Sequence, residues 1–123
     1  MQKVLVVEDD NILARAFDIA LTGVGYEISV AIDGEDALRK IRQFKPDLIL
    51  LDLIIPKKSG EEVLAEIKKD IKYSDIPVLV STVKSDPGSI SRCIALGARG
   101  YFIKAHYTLE DISKEIKKVL AEK

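Results

Sequence analysis

Four places along the chain carry groups able to do chemistry on a charged substrate: Glu8-Asp9-Asp10, Asp52, Ser81-Thr82 and Lys104. Each follows a short apolar run. Val4-Leu5-Val6-Val7 precedes the acidic triplet, Leu48-Ile49-Leu50-Leu51 precedes Asp52, Val78-Leu79-Val80 precedes the hydroxyl pair, and Tyr101-Phe102-Ile103 precedes the lysine. If these runs are neighbouring strands of an open α/β sheet, the four groups lie along the carboxyl edge, where such sheets bind their ligands. Carboxylates, a hydroxyl and an ammonium at one edge match what a divalent cation plus a phosphoryl group needs: hard oxygen ligands and a cation to face transferred negative charge.

Each group also has an ordinary reading. The acidic triplet could be a solvated loop that lends an N-cap to a following helix. Thr82 could be a plain β-branched strand residue and Lys104 a solvated strand end. Asp52 resists such treatment, because it interrupts an apolar stretch from Leu48 to Ile55 where a lone carboxylate is costly to bury.

The elements that must position these groups follow from periodicity. Ile12, Leu13, Ala16, Phe17 and Ala20 recur at helical spacing up to Gly23, and Ile28, Val30 and Ile32 alternate as a half-buried strand. Asp33 caps a second helix with Ala37, Leu38, Ile41 and Phe44 on one face, stopped before Pro46. Ser59 and Glu62 form a capping box for the third, Asp86-Pro87 opens the fourth and Gly97 closes it, and Thr108 caps a fifth with Leu109, Ile112, Ile116, Val119 and Leu120 as its apolar stripe. Strand and helix alternate five times, which predicts a doubly wound α/β fold, a five-stranded parallel sheet with helices on both faces. Only the second strand ends without a reactive group.

Composition sets the bounds. At 123 residues, 47% hydrophobic, with 7 Gly and 4 Pro, the chain is one folded domain over residues 1–123 and not a disordered linker. Nineteen Lys plus Arg against 20 Asp plus Glu give a net charge of −1, so no global attraction draws it to nucleic acid or to an anionic membrane. A single cysteine, Cys93, excludes an internal disulfide and a multi-cysteine metal site. Without a signal-peptide core or a membrane-length apolar run, the expectation is a soluble, cytoplasmic protein.

With those residues in hand, the whole chain resembles the receiver domain of two-component response regulators. The resemblance rests on Val6-Val7-Glu8-Asp9, on Asp47-Leu48-Ile49-Leu50-Leu51-Asp52 with Pro56 and Ser59-Gly60 beyond it, on Ile76-Pro77-Val78 leading to Thr82, and on Gly97-Ala98-Arg99-Gly100-Tyr101-Phe102-Ile103-Lys104. It implies a flavodoxin-like (CheY-like) sheet of order 2-1-3-4-5 with five helices. It implies that Asp52 takes a phosphoryl group from a phosphohistidine on a sensor histidine kinase or phosphotransfer protein. Mg²⁺ (or Mn²⁺) would be held by Asp9, Asp52 and the Ile54 carbonyl, with Glu8 acting through water. Thr82 would hydrogen-bond the phosphoryl group and Lys104 would pair with its charge. Thr82 and the ring of Tyr101 would form the switch, Tyr101 rotating inward as Thr82 moves. The fourth helix, fifth strand and fifth helix would present the face for a downstream protein target or a homodimer.

Some positions depart from the family pattern. Ala105 stands where a cis proline is usual, Val83 replaces a small residue beside the phosphoryl site, and Ile54 and Lys84 lie where the family tunes entry of hydrolytic water. His106, Lys57-Lys58 and Lys117-Lys118 read as surface, Cys93 as packing. Rival readings are an aspartyl phosphohydrolase, a flavodoxin-like electron carrier and a receiver-shaped module that is never phosphorylated. The first lacks an acid at position 54, and the acidic triplet would repel the phosphate of a flavin. No effector segment follows the fifth helix here, so the chain either acts by binding other proteins or is part of a longer regulator.

Overall fold

The computed structural model describes residues 1–122. Its elements alternate along the chain: β1 (Lys3–Val7), α1 (Asn11–Val24), β2 (Glu27–Ala31), α2 (Gly34–Phe44), β3 (Leu48–Leu51), α3 (Gly60–Lys69), β4 (Val78–Thr82), α4 (Pro87–Ala95), β5 (Gly100–Ile103) and α5 (Leu109–Ala121). The five strands form one parallel sheet in the order β2-β1-β3-β4-β5. Because successive strand side chains point to opposite faces, each strand feeds two cores. Leu5, Val7, Ile49, Leu51, Val78 and Val80 meet α2, α3 and α4 through residues such as Ile41, Leu64 and Cys93. Val4, Val6, Leu48, Leu50 and Leu79 meet α1 and α5 through Phe17, Leu21, Ile112 and Ile116.

The caps read from sequence form as expected. Asp10 accepts from the N–H groups of Ile12 and Leu13, Asp33 from Asp36, and Asp86 from Ser89, while Ser59 with Glu62 and Thr108 with Asp111 close reciprocal capping boxes. Three expectations are corrected. α1 runs through Gly23 and ends at Gly25, whose φ of 111° suits a residue without a Cβ and lets its N–H reach back to Leu21 and Thr22. Its buried face is Ala14, Phe17 and Leu21, and Ile12 projects outward at 84% exposure. β2 stops at Ala31, so Ile32 lies beyond the strand at 53% exposure and does not complete the alternation.

The segment from Leu53 to Ser59, between β3 and α3, is clamped at both ends by glycine. Gly60 N–H donates to the Leu53 carbonyl (2.9 Å) and Gly34 N–H to the Pro56 carbonyl (3.1 Å). A Cβ on Gly60 would lie 2.6 Å from Leu53 Cα and closer still to the Asp52 carbonyl oxygen; one on Gly34 would lie 2.8 Å from the Lys58 carbonyl carbon. Only glycine permits these approaches.

Helix N-termini also set an acid limit on stability. Hydrogen bonds from the N–H groups of Asp36, Ser89 and Thr108 hold the Asp33, Asp86 and Asp111 carboxyls, respectively, below the ordinary carboxylate range. A depressed carboxylate stabilises the fold above its unfolded pKa, and that contribution disappears as pH falls through the folded value. Urea unfolding from about pH 6 down to about pH 2 should therefore show stability falling on acidification, with a smaller loss in an Asp33→Asn/Asp86→Asn/Asp111→Asn variant, because the Asn amide oxygen can still accept those N–H groups without titrating. Equal acid sensitivity of the two proteins would assign the loss to other groups.

Candidate functional site

The strand register places the reactive groups side by side. Val7 pairs with Leu51, Leu51 with Val80 and Thr82 with Ile103, so Glu8, Asp52 and Lys104 each leave the sheet at its carboxyl edge. The ladder continues one residue further through Glu8 N–H to the Ala31 carbonyl (2.9 Å), Asp52 N–H to the Val7 carbonyl (3.1 Å) and Lys104 N–H to the Thr82 carbonyl (2.8 Å). These backbone bonds fix where each side chain starts.

Lys104 joins the acids. Its Nζ donates to Glu8 Oε1 at 2.6 Å and to Asp52 Oδ2 at 2.9 Å, while the other Asp52 oxygen accepts from the Ile54 N–H at 3.1 Å. Glu8 and Asp52 are buried, at 4% and 6% exposure, whereas Asp9 is exposed. Burial pushes the Glu8 carboxyl up; Lys104 pulls it back and the Asp52 charge adds to the rise. Burial opposes the Lys104 ammonium, but its hydrogen bonds to Glu8 and Asp52 outweigh that and hold it above its ordinary value. One cation is thus shared between two buried carboxylates, and burial still leaves the Glu8 carboxyl above its ordinary value.

Asp9 completes an acidic cluster in which one carboxylate oxygen each from Glu8, Asp9 and Asp52 lies within 4.8 Å of the others. Three carboxylates against one ammonium leave two negative charges, and every donor is a hard oxygen, so the cluster fits Mg²⁺ or Mn²⁺. The contact Ile54 makes with Asp52 is through its N–H, and its side chain is 52% exposed.

Thr82 is fully buried, and its Oγ1 meets the Lys84 N–H at 3.4 Å. Tyr101 OH donates to the Lys84 carbonyl at 3.0 Å, and the ring packs on the core between the sheet and α2, α3 and α4. Burial pushes the phenol up to about 12. Both residues expected to form a switch thus address the two sides of Lys84's backbone, a convergence that the sequence spacing of 82, 84 and 101 does not announce. The Lys84 side chain turns to Glu61 of α3.

The remaining positions are quickly placed. Every peptide bond among the described residues is trans, so the Lys104-Ala105 link adopts no cis turn, and His106 N–H closes a turn onto the Ile103 carbonyl at 2.9 Å. His106 is exposed. Val83 stands 63% exposed beside Thr82. Cys93 is fully buried, and burial raises its thiol. Lys57 and Lys58 pair with Asp33 (3.6 Å) and Glu66 (2.5 Å), so neither is merely solvated.

A parallel 2-1-3-4-5 sheet with three acids, a buried threonine and a lysine at its carboxyl edge defines a flavodoxin-like domain built around an acidic site. The chain belongs to the response regulator receiver domain family, whose pattern matches residues 4–117. It is 37% identical over 103 residues to the DNA-binding response regulator MtrA of Mycobacterium leprae, a match covering 84% of this chain and 44% of that protein. The chain spans about half the length of the curated relatives it matches, with shares of 44% to 48%. Among solved structures it resembles the phosphorylated cyanobacterial phytochrome response regulator RcpA (35% identity, TM-score 0.82, 96% of this chain and 90% of that one). It also resembles the Mn²⁺-bound form of response regulator Rcp1 (31% identity, TM-score 0.83, 97% and 91% covered). Membership of a signalling family sets aside the phosphohydrolase and electron-carrier readings. No helix among the described residues is long and apolar enough to cross a membrane.

Proposed function

We propose that residues 1–123 form one receiver domain that works as a phosphorylation-operated protein-interaction switch in the cytoplasm, with Asp52 as its phosphoryl acceptor. The observation that carries this reading is the buried Asp52 carboxylate, held by Lys104 at 2.9 Å and by the Ile54 N–H at 3.1 Å, beside Glu8 and Asp9. The donor is a phosphohistidine on a sensor histidine kinase or phosphotransfer protein. An Asp52 oxygen attacks phosphorus, the P–N bond breaks, and its electron pair stays on the imidazole nitrogen, which takes a proton. Lys104, already shared between Glu8 and Asp52, faces the transferred charge.

Asp9, Asp52 and the Ile54 carbonyl would hold Mg²⁺ or Mn²⁺, with Glu8 acting through water; the cation supplies charge neutralisation so that an anionic donor can approach three carboxylates. Support for this also comes from similarity to a regulator seen with Mn²⁺ and to one seen phosphorylated.

The signal leaves through Lys84. Thr82 drawn towards a phosphoryl oxygen gives up the Lys84 N–H, and the Lys84 carbonyl that anchors Tyr101 moves with the same peptide segment. The consequence appears on the face formed by α4, β5 and α5, which binds the downstream protein or a second copy of the chain. With a net charge of −1 the domain itself offers nucleic acid no global electrostatic attraction.

Intact-mass spectrometry after incubation with acetyl phosphate tests this directly. The expected result is one phosphoryl adduct in the presence of Mg²⁺ and none in the presence of a chelator. No adduct under either condition would favour a receiver-shaped interaction module that is never phosphorylated.

A further inference from the structure

The chemistry above makes no use of Glu61, the second residue of α3, yet both of its carboxylate oxygens are taken by cations from other elements. Oε1 accepts from Lys84 Nζ in the loop after β4 at 3.2 Å, and Oε2 accepts from Arg92 Nε on α4 at 3.0 Å. The hydrogen bond from Arg92, supported by Lys84, holds the Glu61 carboxyl below the ordinary range although burial opposes this. The Glu61 and Lys84 side chains are only 22% and 32% exposed, so water screens their contact less than it would a fully solvated pair. Glu61 is also a firm anchor: Gly60, which precedes it, packs on the Asp52 carbonyl and bonds to Leu53.

Lys84 has anions on two sides in sequence and fold, Glu61 on α3 and the acids at the strand ends. Glu8, Asp9 and Asp52 carry three negative charges against one from Lys104, and Lys84 starts its side chain from a peptide that already touches Thr82. A lysine ammonium is a compact charge on a flexible stem, drawn to the nearest uncompensated anions. We propose that Glu61 is a positioning residue: it holds the Lys84 ammonium on the α3 side of the loop and so keeps the acidic cluster open to a divalent cation. This rests on the reading of that cluster as a cation site. When Glu61 is neutral, the released ammonium enters the field of the cluster and competes with the metal.

Calorimetric titration with MgCl₂ tests the idea on wild type, Glu61→Gln, Lys84→Ala, the double variant and Arg92→Ala, each checked for folding by circular dichroism. Glu61→Gln should weaken Mg²⁺ binding by about three- to fivefold, the scale of a partly screened charge interaction. Added to Lys84→Ala, the same substitution should change nothing, because the competing charge is gone; this non-additivity isolates the coupling. Arg92→Ala leaves Lys84 held and should bind as wild type does. Wild-type affinity in Glu61→Gln overturns the proposal, as does an equal loss in the Lys84→Ala background, which would reflect only the missing negative charge. Arg92→Ala weakening binding as much as Glu61→Gln also overturns it. If the wild type itself fails to bind Mg²⁺, the cation-site reading falls first and this inference falls with it; wild-type binding with an unresponsive Glu61→Gln removes this inference alone.

Discussion

Asp52→Asn protein incubated with acetyl phosphate and Mg²⁺ should remain at its unmodified mass while the wild type gains one phosphoryl group. Asn keeps the shape of Asp but is uncharged, and its amide is not a nucleophile at phosphorus. Its carbonyl oxygen can still accept the Ile54 N–H, so the loop behind it keeps its anchor. Lys104 would lose one of its two acceptors and retain Glu8. A charge-assisted hydrogen bond is then lost, worth about 1.5–3 kcal/mol, but repulsion between the buried Glu8 and Asp52 carboxylates is relieved as well. Without metal, the two proteins should therefore differ by no more than about 1 kcal/mol in stability, which thermal unfolding will report. An adduct that forms as fast on Asp52→Asn as on the wild type would sink the assignment and move the acceptor to Glu8 or Asp9.

The second large effect concerns stability. Gly60→Ala would drive a methyl group into the Asp52 carbonyl oxygen and to 2.6 Å from Leu53 Cα, where the obstacle is backbone and cannot swing aside. Overpacking of this kind typically costs about 1–3 kcal/mol, and a contact with backbone belongs at the upper end. At this chain length the loss should appear as a fall of roughly 10 °C in Tm. Gly34→Ala meets the Lys58 carbonyl at the other end of the same segment and should destabilise comparably. The two differ in the site. Gly60→Ala displaces the peptide that carries Asp52 and should slow phosphoryl acceptance, whereas Gly34→Ala should leave the rate near that of the wild type. A Gly60→Ala protein that melts with the wild type would mean that α3 shifts freely away from β3.

Most of the sheet and nearly all of the caps were legible in the sequence because their causes are local. Leu48–Leu51 is apolar without alternation since helices cover both faces of β3, and Asp33, Ser59, Asp86 and Thr108 cap helices through contacts three residues away. The local pattern misleads where the chain outruns or stops short of it. Gly23 looks like a helix end in sequence, but the helix passes through it and the left-handed φ falls two residues later at Gly25. Ile32 extends the alternation of Ile28 and Val30, but the ladder of β1 ends opposite Ala31, and the chain then turns towards the Asp33 cap. At the site, strand ends pointed to Glu8, Asp52, Thr82 and Lys104 correctly as neighbours on one edge. The Lys104 contacts with Glu8 and Asp52, the meeting of Thr82 and Tyr101 on Lys84, and the Glu61 bridge lie beyond any periodicity, because each joins side chains from different strands, loops or helices.

The span between Glu8 and Lys104, 96 residues apart in the chain, bears on synthesis. Translation delivers the amino-terminal strands first, but a domain folds as a unit once its strands are available. The acids of β1 and β3 thus emerge well before the lysine that neutralises them, which is the last member of the cluster to be made. Until β5 has been made, the chain has no Lys104 ammonium to set against Glu8 and Asp52. A copy truncated before that strand lacks the Lys104 cation, so the ion-pair cluster marks a chain that has been made through β5 and folded.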